Sequence, residues 1–157
     1  MEIRPGNFAD PQVKALLKLH LEGMLANSPP GLVFALDWSG LQVAEISFYT
    51  GWEGESLMVI GAMKELGDKG GEIKSMRVSP AHQGQGHGEA MLQHIMAEAR
   101  RRKMVRLSLE TGTGTAFEPA LRLYRKHGFQ SGGVFGDYEK SSFNQFFHLD
   151  LNTAPHR

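Results

Sequence analysis

The chain has 157 residues, 41% of them hydrophobic and 22% charged, which is typical of one soluble globular domain. Its 17 basic and 17 acidic residues give a formal net charge of zero, which disfavours a role based on nucleic-acid or membrane electrostatics. The absence of cysteine excludes a disulfide framework and a cysteine nucleophile. No apolar run approaches the roughly 20 residues that span a bilayer, and no signal-peptide pattern is seen. We expect one domain over residues 1–157, in the cytoplasm.

The first third of the chain predicts a strand, two helices and a hairpin. Asp10 with Pro11 behind it is a good helix start, because a carboxylate caps free backbone N–H groups and proline suits the first turn. The expected elements are a strand at 2–4, a helix from Asp10 that breaks at 27–31, a short helix at 36–43, and a hairpin at 45–66 with its turn at 53–55.

Residues 71–103 predict a strand, a glycine loop and a helix in direct succession. The glycine loop, residues 83–88, carries Gly84, Gly86 and Gly88 at every second position, which leaves backbone N–H groups unshielded by side chains. It leads straight into a helix, whose N-terminus favours an anion. The helix is indicated by apolar residues at helical spacing, namely Met91, Leu92, Ile95, Met96 and Ala99. We therefore expect a phosphate-binding loop.

Two protein classes that have well-known glycine loops do not fit this spacing. The loop of nucleoside triphosphatases needs Gly-Lys followed by Ser or Thr, whereas Gly88 is followed by Glu89 and Ala90. A dinucleotide fingerprint needs a third glycine where Glu89 stands. The spacing alone leaves a loop that binds another phosphate-bearing ligand, or a glycine-rich turn without a ligand.

The remainder of the chain predicts a strand at 105–110, a helix at 116–127 that stops at Gly128, a last strand at 143–149 and a loose tail at 152–157. The start of this helix has two interpretations. Thr115 and Glu118 resemble a capping box, whereas Pro119 favours the first helical position.

Two motifs resemble those of the GCN5-related N-acetyltransferases, the GNAT family. The first is Gln-x-x-Gly-x-Gly at Gln83, Gly86 and Gly88, the acetyl-coenzyme A signature of that family. The second, Ala-x-x-Leu-Tyr-x-x-x-Gly-Phe, follows at the expected distance and is formed by Ala120, Leu123, Tyr124, Gly128 and Phe129. Many members carry Asn three residues before that alanine, to contact the pantetheine arm, but this chain has Phe117.

The resemblance implies an α/β (α+β) fold with one mixed, mostly antiparallel sheet of six or seven strands, splayed between strands 4 and 5, and about four helices. It implies transfer of acetyl from acetyl-coenzyme A to a primary amine of a small molecule or peptide, by direct attack through a tetrahedral intermediate. The cofactor-binding residues it implies are Met76, Arg77, Val78, Gln83, Gly84, Gln85, Gly86, His87 and Gly88.

The resemblance and the needs of the reaction give three candidate catalytic residues. Tyr124 matches the family's general-acid position, since a phenol is protonated at neutral pH and can donate to a leaving thiolate. Its helical spacing also fits a core aromatic. Glu72 and Glu110 are candidate bases near the expected acceptor. Either is equally an ordinary strand-end acid, paired with a neighbour such as Lys74 or Arg106.

We expect acetyl-coenzyme A and a small-molecule amine as partners, with no metal, nucleic acid or membrane, and the chain is compatible with a homodimer. His82, His87 and His94 lack the spacing of paired helical metal ligands, and the basic run 100–103 suits a helix C-terminus. A regulatory domain that binds coenzyme A without turnover and a nucleic-acid-binding module are the alternatives.

The acceptor pocket is expected within 25–55 and 130–142. The aromatic residues of these segments are Phe48, Tyr49, Trp52, Phe135 and Tyr138, which are equally candidates for the core.

Overall fold

The computed structural model describes residues 1–29 and 38–151. The strands are β1 (Glu2–Pro5), β2 (Ile46–Glu53), β3 (Ser56–Glu65), β4 (Gly70–Val78), β5 (Arg106–Gly112), β6 (Gln130–Gly132) and β7 (Asn144–Asp150). The α-helices are α1 (Pro11–Ala26), α2 (Trp38–Leu41), α3 (His87–Arg101) and α4 (Glu118–Lys126), and short 3₁₀ turns occupy Pro80–His82 and Thr115–Phe117. The expected tail at 152–157 and part of the expected helix at 36–43 lie outside the described residues.

The seven strands form one mixed sheet in the order β1-β2-β3-β4-β5-β7-β6. Every neighbouring pair is antiparallel except β4 and β5, which run parallel. This parallel pairing ends at Glu72 and Ser108, although β4 continues to Val78 and β5 to Gly112. The two strands therefore separate, which confirms the expected mixed sheet splayed between its fourth and fifth strands.

Each face of the sheet has its own helices and its own core. Along β3, Val59 and Met63 pack with residues of α3, whereas Ile60 and Ala62 pack with residues of α1 and α2. Successive side chains of a strand point to opposite faces, so these assignments fix the direction of every residue in register with them. We call the two sides the α3 face and the α1 face.

Helices α1 and α3 form as their sequences predict. The Asp10 carboxylate accepts hydrogen bonds from the N–H groups of Gln12 at 2.8 Å and Val13 at 3.4 Å, which caps α1. The five apolar residues expected to form the buried stripe of α3 are all buried. A Cβ added to Gly61 would lie 2.8 Å from Met91 Cγ, so the glycine in β3 allows α3 to approach the sheet closely.

A bulge in β4 sets the direction of two charged side chains. Lys74 pairs with Ala62 and Arg77 with Ile60, so β4 has one residue more than β3 between these pairs. The chain takes up the extra residue at Ser75, whose φ is 55°. The two β3 partners both point to the α1 face. Lys74 and Arg77 therefore point there as well, although they are three residues apart.

Local patterns were incomplete at two places. Strand β6 was not expected, because its three residues carry no alternating pattern. At the start of α4 no side chain forms a cap, and Pro119 lies in the first turn, so the proline signal outweighs the capping box. In the basic run, Arg102 Nε lies 3.0 Å from Glu98 and Arg102 Nη1 lies 3.1 Å from Glu65, as expected of a helix end packed on the sheet.

Candidate active site

The glycine loop presents open backbone at the N-terminus of α3. Gly84 and Gly86 have φ of 75° and 86°, in the left-handed region that favours glycine. A Cβ at either position would meet nothing within 4 Å, and no side chain caps the helix. The first N–H groups of α3 therefore face open space at the positive end of the helix dipole. This local geometry fits a pyrophosphate.

The third glycine has a different structural reason. Gly88 lies inside the first turn of α3, where an added Cβ would come 3.3 Å from Val78 Cγ2. Its small size lets the helix start close to β4, which fixes the loop on the α3 face. Gln83 follows the 3₁₀ turn at the loop entrance, and His87 Nε2 lies 3.3 Å from Gln85 Oε1 at the surface.

An acidic residue beside the glycine loop forms an ion pair with a side chain at the end of α4. The Glu89 carboxylate lies 2.7 Å from Lys126 Nζ and 3.0 Å from His127 Nε2. The hydrogen bond from Lys126 is the main reason that the pKa of Glu89 is lowered. This pairing compensates a negative charge that would otherwise oppose an anion at the start of α3.

The splay encloses a cavity of about 190 Å³. We call it the splay cavity. Its walls come from both arms of the splay, from α1, from the start of α4 and from the segment between β6 and β7. Its lining residues include His20, Gly23, Glu72, Lys74, Met76, Arg77, Glu110, Phe117, Tyr124 and Tyr138. Tyr124, Glu72 and Glu110, the three candidate catalytic residues, thus meet at one opening.

Tyr124 is both a packed aromatic and a cavity residue. Its side chain is 7% exposed, and its ring contacts Phe129 edge to face with the centroids 5.6 Å apart. Burial raises the pKa of Tyr124 to about 12, so the phenol is protonated at neutral pH. Within residues 1–29 and 38–151, no side chain or backbone group is hydrogen-bonded to its hydroxyl.

Phe117 gives the cavity an apolar wall where the resemblance would place an amide. Its ring contacts Phe143 edge to face at 5.7 Å between centroids. A Cβ added to Gly112 would come 2.6 Å from the Phe117 ring and 2.5 Å from Phe143. The phenylalanine therefore depends on a glycine in β5 for its space, and it can contact a ligand only through its ring.

Glu72 is held in a buried polar cluster. The side chain is 3% exposed, accepts a hydrogen bond from the Tyr138 hydroxyl and lies 3.2 Å from Lys74 Nζ. Lys74 Nζ also donates to Tyr138 Oη at 2.7 Å. Burial and then the Glu72 charge raise the pKa of Tyr138. The predicted pairing of Glu72 with Lys74 is present. Lys74 and Tyr138 both donate to the same carboxylate oxygen of Glu72, Oε2.

Glu110 lies on the opposite arm of the splay and is differently placed. Ser108 is in register with Glu72, and Glu110 is two residues further along β5, so both carboxylates point to the α1 face. Burial raises the pKa of Glu110 to about 7, against the lowering effects of Asn144 and Lys74. Among the described residues, no ion pair joins Glu110 to Arg106. A carboxyl with this pKa can both accept and release a proton near neutrality.

The expected aromatic acceptor surface is mostly core. Phe48 and Trp52 belong to the core beneath α1 and α2, and Tyr49 packs edge to face on His94. Tyr138 alone of the five lines the splay cavity, with Phe135 behind it at 5.2 Å between ring centroids. These aromatic residues therefore divide between the core and one wall of the cavity.

The sequence patterns predicted no cavity role for His20 or Lys74. Their positions follow from the bulge in β4 and from the packing of α1 on the sheet. In the described part of the chain, no cluster of three or more His, Asp or Glu side chains is placed to hold a metal ion. The helices described there are all too short or too polar to cross a membrane.

A splayed mixed sheet with an open glycine loop at a helix N-terminus is the arrangement that the two sequence motifs predict for an acetyl-coenzyme A-dependent acyltransferase. The comparisons agree with this class. The model of the "Acetyltransferase (GNAT) family" matches residues 9–129. The chain belongs to the GNAT family of acetyltransferases.

Two relatives match along nearly the whole chain. The chain is 42% identical to the uncharacterized N-acetyltransferase YedL of Escherichia coli, over 95% of this chain and 94% of that one. It is 45% identical to the uncharacterized N-acetyltransferase YsnE of Bacillus subtilis, over 96% and 100%. The fold is similar to that of an aminoglycoside 6'-N-acetyltransferase complexed with coenzyme A, with a TM-score of 0.73, 13% identity and coverage of 99% and 100%.

Proposed function

We propose that the protein is a cytoplasmic enzyme that transfers the acetyl group of acetyl-coenzyme A to a primary amine of a small molecule. The observation that carries this proposal is the splay cavity, whose walls contain both Tyr124 and Glu110. A protonated phenol and a carboxyl with a pKa of about 7 are the two proton-transfer groups that the reaction needs.

The cofactor is proposed to bind on the α3 face. The open N–H groups around Gly84 and Gly86 would hold its pyrophosphate, as charge-assisted hydrogen bonds at a helix N-terminus do. Beyond Glu72, β4 has no ladder partner on the side of β5, so main-chain N–H groups near Met76, Arg77 and Val78 can stabilise an oxyanion. Bound acetyl-coenzyme A supplies an activated thioester.

Glu110 is proposed as the base. The incoming ammonium must lose a proton before its nitrogen can attack, and ionised Glu110 can take that proton directly or through a water molecule. Glu72 is less suited as the base, because Lys74 and Tyr138 already donate hydrogen bonds to its Oε2. We propose that Glu72 instead holds Lys74 and Tyr138 in place. Tyr124 would then donate its proton as charge develops on the departing sulfur.

The test is a thiol-release assay with acetyl-coenzyme A and a panel of amines, in which product mass confirms acetylation. A thermal-shift screen with coenzyme A, acetyl-coenzyme A and duplex DNA accompanies it. We expect stabilisation by both coenzymes and release of thiol with at least one amine class. Stabilisation by coenzyme A without acetylation of any amine would indicate a regulatory binding domain. Stabilisation by DNA alone would indicate a nucleic-acid-binding module.

A further inference from the structure

Arg77 presents to the splay cavity a cation that has no counter-ion among residues 1–29 and 38–151. Its guanidinium lies against α1, where a Cβ added to Gly23 would come 3.1 Å from Nη2 and 3.2 Å from Nη1. Arg77 Nε is buried without a hydrogen-bond partner, and in the described ranges no carboxylate pairs with this side chain. A guanidinium whose Nε is buried without a hydrogen-bond partner is unfavourable, so this arrangement points to an anionic ligand.

His20 provides a second unsatisfied polar group at the same place. It lies one helical turn before Gly23 and is 8% exposed, and its buried Nδ1 has no hydrogen-bond partner. Burial and the nearby Arg77 charge lower the pKa of His20 to about 4, so the ring is neutral at pH 7. A neutral imidazole can donate a hydrogen bond to an anion that Arg77 binds.

The position of Arg77 separates this anion from the phosphates of the cofactor. The side chain points to the α1 face, whereas the glycine loop is packed on the α3 face through Gly88 and Val78. The other cation of the cavity, Lys74, is already paired with Glu72. The unpaired positive charge therefore belongs to the acceptor side of the splay.

We propose that the acceptor is an amino acid or a closely related amine that also carries a carboxylate, with the carboxylate bound by Arg77 and His20. Its amine would then lie towards Glu110, on the other arm of the splay. The inference rests on the proposed acetyl transfer and names the class of its substrate. It also explains why, in the described part of the chain, the cavity is lined by a cation on β4 and an acid on β5 that have no salt-bridge partner.

The experiment compares matched acceptors in wild type and Arg77→Gln. The pairs are L-phenylalanine with 2-phenylethylamine and L-leucine with 3-methylbutylamine, which differ only by the carboxylate. We expect Arg77→Gln to lower kcat/KM for the amino acids by roughly 10- to 100-fold, the scale of a lost charge-assisted hydrogen bond. The substitution changes only the side chain and keeps the main-chain N–H proposed to stabilise the oxyanion, so kcat/KM for the carboxylate-free amines should fall by less than about threefold. Comparing each acceptor with itself between variants cancels the differences in amine pKa.

Controls separate a local effect from a general one. Arg106→Gln removes an exposed arginine at the closed end of the splay. It should leave kcat/KM at the wild-type value for the amino acids and for the carboxylate-free amines. Arg77→Lys keeps the charge but loses the planar fork, so it should retain an intermediate preference even if the glutamine variant folds poorly. For each of these variants, the melting temperature and the Kd for acetyl-coenzyme A should equal those of the wild-type protein.

Three results would overturn the inference. They are an equal loss for amino acids and plain amines in Arg77→Gln, wild-type turnover of the amino acids by that variant, and a weakened Kd for acetyl-coenzyme A. If wild type acetylates no amine, the proposed function fails separately. Calorimetry of L-phenylalanine and L-leucine with coenzyme A present then decides the subsite. Binding lost in Arg77→Gln supports it, whereas no binding to wild type rejects it.

Discussion

Burial acts on two residues of the splay cavity in the same direction but with different consequences. For Tyr124 it raises the pKa to about 12, which keeps the hydroxyl protonated at any physiological pH. For Glu110 it raises the pKa to about 7, which makes both protonation states available near neutrality. One buried environment can therefore supply a donor and an acceptor, because the two groups start from different pKa values.

The first prediction concerns Tyr124→Phe, which keeps the ring and its contact with Phe129 but removes the proton donor. We expect turnover to fall by roughly 10²- to 10⁴-fold, the usual range for a positioned acid, with an unchanged Kd for acetyl-coenzyme A. Steady-state rates and cofactor titration measure the two quantities. If Tyr124 is only a core aromatic, the variant will keep more than about half of the wild-type turnover where chemistry limits the rate.

At the scale of elements, the N-terminus of α3 is the feature that should carry cofactor affinity. Gly86→Asp adds bulk and a negative charge beside the open N–H groups. We expect acetyl-coenzyme A binding to weaken by at least about 2 kcal/mol, the scale of one or two charge-assisted hydrogen bonds. Isothermal titration calorimetry on the folded variant provides the value.

The matched control for this variant is Gly54→Asp. Gly54 also has a positive φ, 58°, and a Cβ there would meet nothing within 4 Å. Gly54 lies in the turn between β2 and β3. Gly54→Asp therefore adds the same charge and the same backbone strain at a position away from α3. Equal affinities for the two variants would remove the glycine loop from the binding site.

A second element, the end of β5, should set the position of Phe117. Gly112→Ala would force a methyl group to within about 2.6 Å of the Phe117 and Phe143 rings. Rigid rings cannot yield as a flexible side chain does, so we expect a loss of about 1–3 kcal/mol in the free energy of unfolding. Urea denaturation of Gly112→Ala and of Gly133→Ala, where the added Cβ meets nothing within 4 Å, gives the comparison. Equal stabilities would contradict the packing described here.

At the scale of the whole molecule, the sequence predicts best what depends on neighbouring residues. The cap at Asp10, the apolar stripe of α3 and the hairpin of β2 and β3 all follow from local patterns, and the structure confirms them. The splay between β4 and β5 was expected only from the resemblance, because loss of pairing halfway along two strands leaves no periodic signal.

The composition of the cavity could not be predicted in the same way. Tyr138 and Glu72 are 66 residues apart in sequence, and their contact depends on how the segment after β6 returns to the sheet. The direction of Arg77 depends on the bulge at Ser75, which reverses the alternation expected of a regular strand. Burial of His20 against Arg77 requires both that bulge and the docking of α1.

The two faces of the sheet meet where β4 and β5 separate. In the proposed function the cofactor lies on the α3 face, the acceptor lies on the α1 face, and the acetyl group passes through the opening. The central claim is that Glu110, at this opening, accepts the proton of the amine. Its pKa of about 7 gives the claim a distinct pH dependence.

The most direct test is the pH dependence of kcat for wild type and Glu110→Gln with one acetylated amine. Ionised Glu110 is the active form, so the wild-type rate should rise as pH passes upward through about 7, well below an amine pKa near 10. We predict that Glu110→Gln lacks this rise and loses roughly 10²- to 10⁴-fold in turnover, with acetyl-coenzyme A still bound. A variant that keeps the rise near pH 7 and more than half of the wild-type turnover would contradict the account.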